Sequence, residues 1–185
     1  FSAPLDLFLD VSNNRLLVAD QVRGLIAVDL ATGDRILLSD PGAIYGRNGS
    51  RIQSVGYDVA TNTAYVPDST TDVIYSIDLA DGTPVVHVDS SSGDGPVETG
   101  MWGMRGIALD RARGRLVLPN WEFDTTVGVD LSTAARSVIA SASVGAGPVP
   151  TVPSRLDIDE ANDRAVLTDI NLGGLYALDL ATGDR

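Results

Sequence analysis

The chain has no cysteine, no lysine and a single histidine in 185 residues, and aromatics make up only 5% of it. Without cysteine there is no disulfide framework and no thiolate-bound zinc, while the cellular compartment stays open. A lone imidazole, His87, speaks against a histidine zinc site and against a Ser-His-Asp triad, and its place in a strand marks it as an outer-strand residue. No apolar run reaches the length that spans a bilayer, so membrane insertion is not expected. The chain opens Phe1-Ser2-Ala3-Pro4 with no initiator methionine and no charged-then-apolar leader, so any targeting segment is expected to have been removed or never to have been present.

Positive charge is scarce as well. Thirteen arginines face 25 acidic residues for a net charge of −12, which repels phosphate backbones and anionic lipid and excludes nucleic acid as a partner. That every basic residue is arginine is read as the coding or habitat bias of a GC-rich or salt-adapted bacterium. The expected location is periplasmic or secreted. A hydrophobic share of 44% is ample for a buried core.

What is present is a repeat. Apolar segments ending in Asp10, Asp58, Asp110 and Asp159 recur at spacings of 48, 52 and 49 residues. A second marker, Asp-Leu at 29–30, 78–79, 130–131 and 179–180, recurs at 49, 52 and 49. Between the markers lie short aliphatic runs such as Leu16-Leu17-Val18 and Leu116-Val117-Leu118, too short for helices and bounded by turn residues. Each unit reads as four strands, a to d, and no amphipathic helix interrupts them. The predicted fold is therefore all-β, a β-propeller of four consecutive four-stranded antiparallel blades at approximately 4–40, 52–89, 104–141 and 153–185, the last lacking its outer strand. It is expected to form part of a six- to eight-bladed ring or half of a dimeric ring, pairing with further blades or with a second copy of itself.

The a-to-b and c-to-d turns are short and stereotyped, whereas the d-to-a connections (40–51, 89–105 and 142–153) differ each time. In a propeller those connections share a face with the b-to-c loops, and variable loops on a rigid scaffold are where binding usually sits. The b strands end at Asp20, Asp68, Asn120 and Asp169 on that face. Their oxygens suit a hard cation such as Ca2+, but their recurrence in every blade favours a structural role in the turn. No cofactor is expected. Unrepeated residues near the innermost strands, Asp6, Gln53, Arg105, Arg155 and Asp157, could orient a small polar ligand or bridge blades. Trp102 and Trp121 lie in loops of the same face, where an indole offers a stacking platform for a sugar or aromatic ligand or plugs the end of the ring. Asn48-Gly49-Ser50 matches a glycosylation acceptor and equally an ordinary turn.

The runs Arg15-Leu16-Leu17-Val18-Ala19-Asp20, Gly24-Leu25-Ile26-Ala27-Val28-Asp29 and Arg105-Gly106-Ile107-Ala108-Leu109-Asp110 resemble NHL-type and gluconolactonase-like (senescence-marker-protein-like) propellers. The resemblance spans all four repeats and is one of blade pattern. It implies a six-bladed ring and, for the lactonase-like group, a divalent cation, commonly calcium, held near the axis. Two functions follow as expectations: a non-catalytic propeller binding a small polar molecule or a protein, or a calcium-dependent hydrolase acting on a lactone or ester.

Overall fold

The computed structural model describes residues 1–40, 42, 52–68, 71–89, 91–96 and 103–185. They form two compact units, Phe1–Asp89 and Ser90–Arg185, each holding two blades. In the first unit, β1 (Pro4–Asp10), β2 (Arg15–Asp20), β3 (Gly24–Asp29) and β4 (Arg35–Ser39) form one antiparallel sheet in chain order. A second sheet is built from β5 (Gly56–Asp58), β6 (Thr63–Asp68), β7 (Val73–Asp78) and β8 (Pro84–Val88). The second unit has β9 (Ala108–Asp110), β10 (Arg115–Asn120), β11 (Thr125–Asp130) and β12 (Arg136–Ala140), then a three-stranded sheet of β13 (Pro153–Asp159), β14 (Arg164–Asp169) and β15 (Gly174–Asp179). The chain is thus all-β, made of four propeller blades of which the last has three strands, as the repeat predicts. Among the described residues no helix is long and apolar enough to cross a membrane.

Every a-to-b corner turns through a residue in the left-handed region, Asn14, Asn62, Gly114 or Asp163, all with φ between 50 and 59°. These residue types tolerate that region best. The aspartate that opens each corner holds it together: Asp10 accepts from the Asn13 N–H and side chain and from Arg15 Nε, and Asp110 accepts from the Arg113 N–H and Arg115 Nε. In the c-to-d turns, at the same end of the blade, Asp29, Asp130 and Asp179 each accept the N–H groups two and three residues on. These carboxylates are therefore spent inside turns.

Pleating sends alternate residues to opposite faces, and in both units the earlier blade offers one face and the later blade the other. In the first unit Phe8, Leu17, Ala19, Leu25 and Ala27 of the first blade meet Val55, Tyr57, Ala64, Val66 and Ile77 of the second, with Phe8 edge-on to Tyr57 at 5.7 Å. In the second unit Val117 and Ile139 meet Ala165, Leu167, Leu178 and Leu180. Arginines stitch the same contacts. Arg15 reaches Tyr57 Oη at 3.3 Å and Asn62 Oδ1 at 3.4 Å, and Arg115 reaches the Leu180 carbonyl at 2.7 Å. His87 stands in the outer strand β8, edge-on to Tyr65 at 5.2 Å, and burial pushes its pKa down.

The turn aspartates make stability depend on acid. Hydroxyl and N–H donation from Ser132 and Thr133 holds Asp130 down at about 2, and Asp29 and Asp179 are lowered by the N–H groups of their own turns. A carboxylate lowered in the folded chain stabilises it fully above the unfolded value of about 4 and progressively less as the pH falls towards about 2. The urea midpoint is expected to fall steeply below about pH 4; an unchanged midpoint at pH 2.5 would contradict this role for the turns.

Candidate functional site

The loop-bearing ends of the first, third and fourth blades are drawn together by backbone bonds from the b-to-c turn to the residues leading into strand a. Gln21 N–H meets the Ala3 carbonyl at 2.9 Å, Ile170 N–H meets Val152 at 3.1 Å, and Trp121 N–H meets Gly103 at 3.5 Å. The residue ending strand b sits between these segments. Asp20, fully buried, accepts the N–H groups of Ser2 (2.7 Å), Ala3 (3.2 Å), Val22 (3.0 Å) and Arg23 (3.0 Å). Asp169 accepts those of Thr151 (2.8 Å), Val152 (3.1 Å), Asn171 (3.0 Å) and Leu172 (2.9 Å). Asn120 Oδ1 takes the Glu122 N–H at 3.0 Å, and Asp68 takes the Thr71 hydroxyl at 2.8 Å. Burial pushes Asp20 and Asp169 up, but the N–H groups around them outweigh it and hold both below the usual carboxylate range.

A carboxylate offers about four lone-pair directions, and at Asp20 and Asp169 all four are taken by N–H groups. Among the described residues, no three of histidine, cysteine, aspartate and glutamate gather as a metal group would require. Millimolar calcium is accordingly expected to leave the melting temperature unchanged; a rise abolished by Asp68→Ala or Asp169→Ala would assign these residues to a cation.

The unrepeated candidates fall in different places. Asp6 accepts from the Ser54 hydroxyl and from the Val55 N–H at 3.2 Å, tying the first blade to the second. Gln53 donates its N–H to Pro67 at 3.4 Å. Arg155 donates its N–H to Thr168 Oγ1 at 2.9 Å, and Asp157 is exposed within β13, where its carboxylate takes the Ile158 N–H at 2.8 Å. Trp102, Asn48-Gly49-Ser50 and much of the connections 40–51 and 89–105 lie outside the described residues.

Arg105 and Trp121 do come together. The Arg105 guanidinium lies 5.0 Å from the Trp121 ring centre, and the indole is 37% exposed. Gly103 seats it: with φ +75° it has no Cβ, and one placed there would stand 2.9 Å from Trp121 Nε1 and 3.1 Å from Glu122 Cβ. Nothing in the repeat marks Gly103. Two other features were equally invisible. Asp72, buried and with φ +57°, has its carboxyl pushed up by burial and by the charge of Asp68. A cavity of about 510 Å³ lies on the first blade, lined by Phe1, Val22, Arg23, Ile26, Arg35, Leu37 and Asp40, with the Arg35 guanidinium 4.9 Å from the Phe1 ring centre.

Four-stranded blades joined a to d, stitched face to face and carrying their irregular loops at one end, define a β-propeller protein. No known family model matches the sequence, and no curated protein matches it. Solved propeller structures match the fold. A chain of the nidogen/laminin complex superposes with a TM-score of 0.64 at 15% identity, over 96% of this chain and 76% of that one. The WD40 repeats of RRP9 give 0.63 at 8% identity, over 96% and 51%. An auxiliary nutrient binding protein from Bacteroides thetaiotaomicron gives 0.69 at 11% identity, over 97% and 39%. The chain thus spans about half or less of the last two. Identities this low carry the fold and nothing finer.

Proposed function

We propose that this is a non-catalytic binding propeller of the NHL and gluconolactonase-like pattern, acting in the periplasm or outside the cell on a small polar molecule or a protein. The observation that supports it is the Arg105–Trp121 pair: a half-open indole backed by a cation and seated on a glycine, at the loop-bearing end of the third blade. An indole face suits the apolar face of a sugar ring or a planar aromatic group. That one fold relative is named as nutrient binding and another as a nidogen/laminin complex is compatible with either ligand class.

Trp102 and Trp121 are the only tryptophans, so a Trp102→Phe background makes Trp121 the sole indole reporter. Titration with oligosaccharides and aromatic acids is expected to quench or shift its emission for one class. Trp121→Ala should weaken that ligand about tenfold or more, roughly 1.4 kcal/mol, and Gly103→Ala should do the same by displacing the indole. If every ligand leaves the emission unchanged, the indole is a plug. Asp72 supports a second reading, a calcium-dependent lactonase or esterase, because a carboxyl whose pKa is pushed up by burial and by neighbouring Asp68 is suited to general acid chemistry. Turnover of lactone or ester substrates that is lost in Asp72→Asn would replace the binding reading with that one.

A further inference from the structure

The two blade contacts use the same positions of the repeat, which makes the unused faces of the first and fourth blades readable. Three residues before the a-to-b corner stand Leu7, Val55 and Leu156; one residue before it stand Leu9, Tyr57 and Ile158. In the second and fourth blades these side chains pack against the preceding blade. Val55 and Tyr57 are 3% and 1% exposed, whereas Leu7 and Leu9, at the same positions, are 59% and 50% exposed. The opposite face behaves in the same way. Leu25 of the first blade is 0% exposed under the second blade, and its equivalent in the fourth blade, Leu175, is 72% exposed.

We infer that these two faces are complementary, and that the Leu7–Leu9 face of the first blade docks the Leu175 face of the fourth blade of a second copy of the chain. The contact continues the packing already made twice within the chain, in the same register and with the same chemistry. Leu7, Leu9 and Leu30 take the roles of Val55, Tyr57 and Leu79. Val166, Leu175 and Ala177 take those of Leu17, Leu25 and Ala27.

The polar groups agree. Arg15 and Arg115 each hold their own corner aspartate through Nε and extend an outer nitrogen to the next blade, to Asn62 and to the Leu180 carbonyl respectively. Arg164 repeats the first half of that arrangement, with Nε 2.9 Å from Asp159, and its guanidinium is exposed. Across the docked faces it meets the partner's Asn14 and the partner's Leu30 carbonyl, the equivalents of Asn62 and Leu180. Docking also covers the Phe1–Leu37 cavity, since Ile26 and Leu37 belong to the Leu7–Leu9 face.

Such a contact is heterologous, with different surfaces meeting, and a pair of blocked variants tests it. Leu9→Arg blocks one face and Leu175→Arg the other; both positions are exposed, so neither blade's own core is altered. In sedimentation velocity the unaltered chain is expected to run larger than its 19.4 kDa monomer. Neither variant can then form the contact with itself, so each alone should be monomeric. An equimolar mixture should form a heterodimer through the Leu9 face of one and the Leu175 face of the other. Arg164→Ala should weaken the association about tenfold. A monomeric unaltered chain, association that survives in both variants, or a mixture that stays monomeric would each overturn the inference.

Discussion

Replacing Gly82 by alanine is expected to destabilise the protein by about 3 kcal/mol or more, while the same change at Gly33 costs about 1 to 2 kcal/mol. The two glycines occupy the same place in equivalent c-to-d turns and share the left-handed region, with φ +74° and +77°. Conformational strain is therefore equal, and surroundings alone separate them. A Cβ on Gly82 would overlap the Leu38 carbonyl of the neighbouring blade, and Ser39 Oγ donates to the Gly82 carbonyl at 2.9 Å, which pins the turn in place. Around Gly33 nothing lies within 4 Å of the added carbon. Relief at Gly82 requires moving one blade away from another, with loss of core contact along the whole face. Urea unfolding of the two variants side by side measures the difference; equal losses would mean that the blades are not in close approach at this turn.

Asp20→Ala is the second large effect, about 3 kcal/mol or more. Four N–H groups, two from the chain leading into β1 and two from the turn after β2, converge on this one carboxylate. Removing it strands donors in a buried site, at about 1 to 3 kcal/mol for each that water does not reach. Asn keeps one oxygen, so Asp20→Asn should recover part of the loss. Asp157→Ala, where the carboxylate is exposed and accepts only the neighbouring N–H, should change stability by less than about 0.5 kcal/mol. Equal midpoints for Asp20→Ala and Asp157→Ala in guanidinium would show that water replaces the carboxylate at Asp20.

The sequence by itself determined the blades. Their strands, corners and turns are held by contacts within about five residues, such as Asp10 to Asn13 and Arg15, or Asp130 to Ser132 and Thr133, and by pairing between adjacent strands. Interactions that close locally leave the same residues at the same spacing in every repeat, which is why two Asp markers sufficed to locate all four blades. The same recurrence places Asp20 and Asp169 at one point of the repeat, the end of strand b.

Only the tertiary structure decided what the unrepeated residues do. Gly103 under Trp121, Arg35 over Phe1, Asp72 beside Asp68 and Asp6 against Ser54 are single events on separate segments, and no period announces them. Exposure is of the same kind. Leu9 and Tyr57 are equivalent in the repeat, and one is open and the other closed because burial depends on whether another sheet lies across the face, a property of packing that no residue carries in its own neighbourhood.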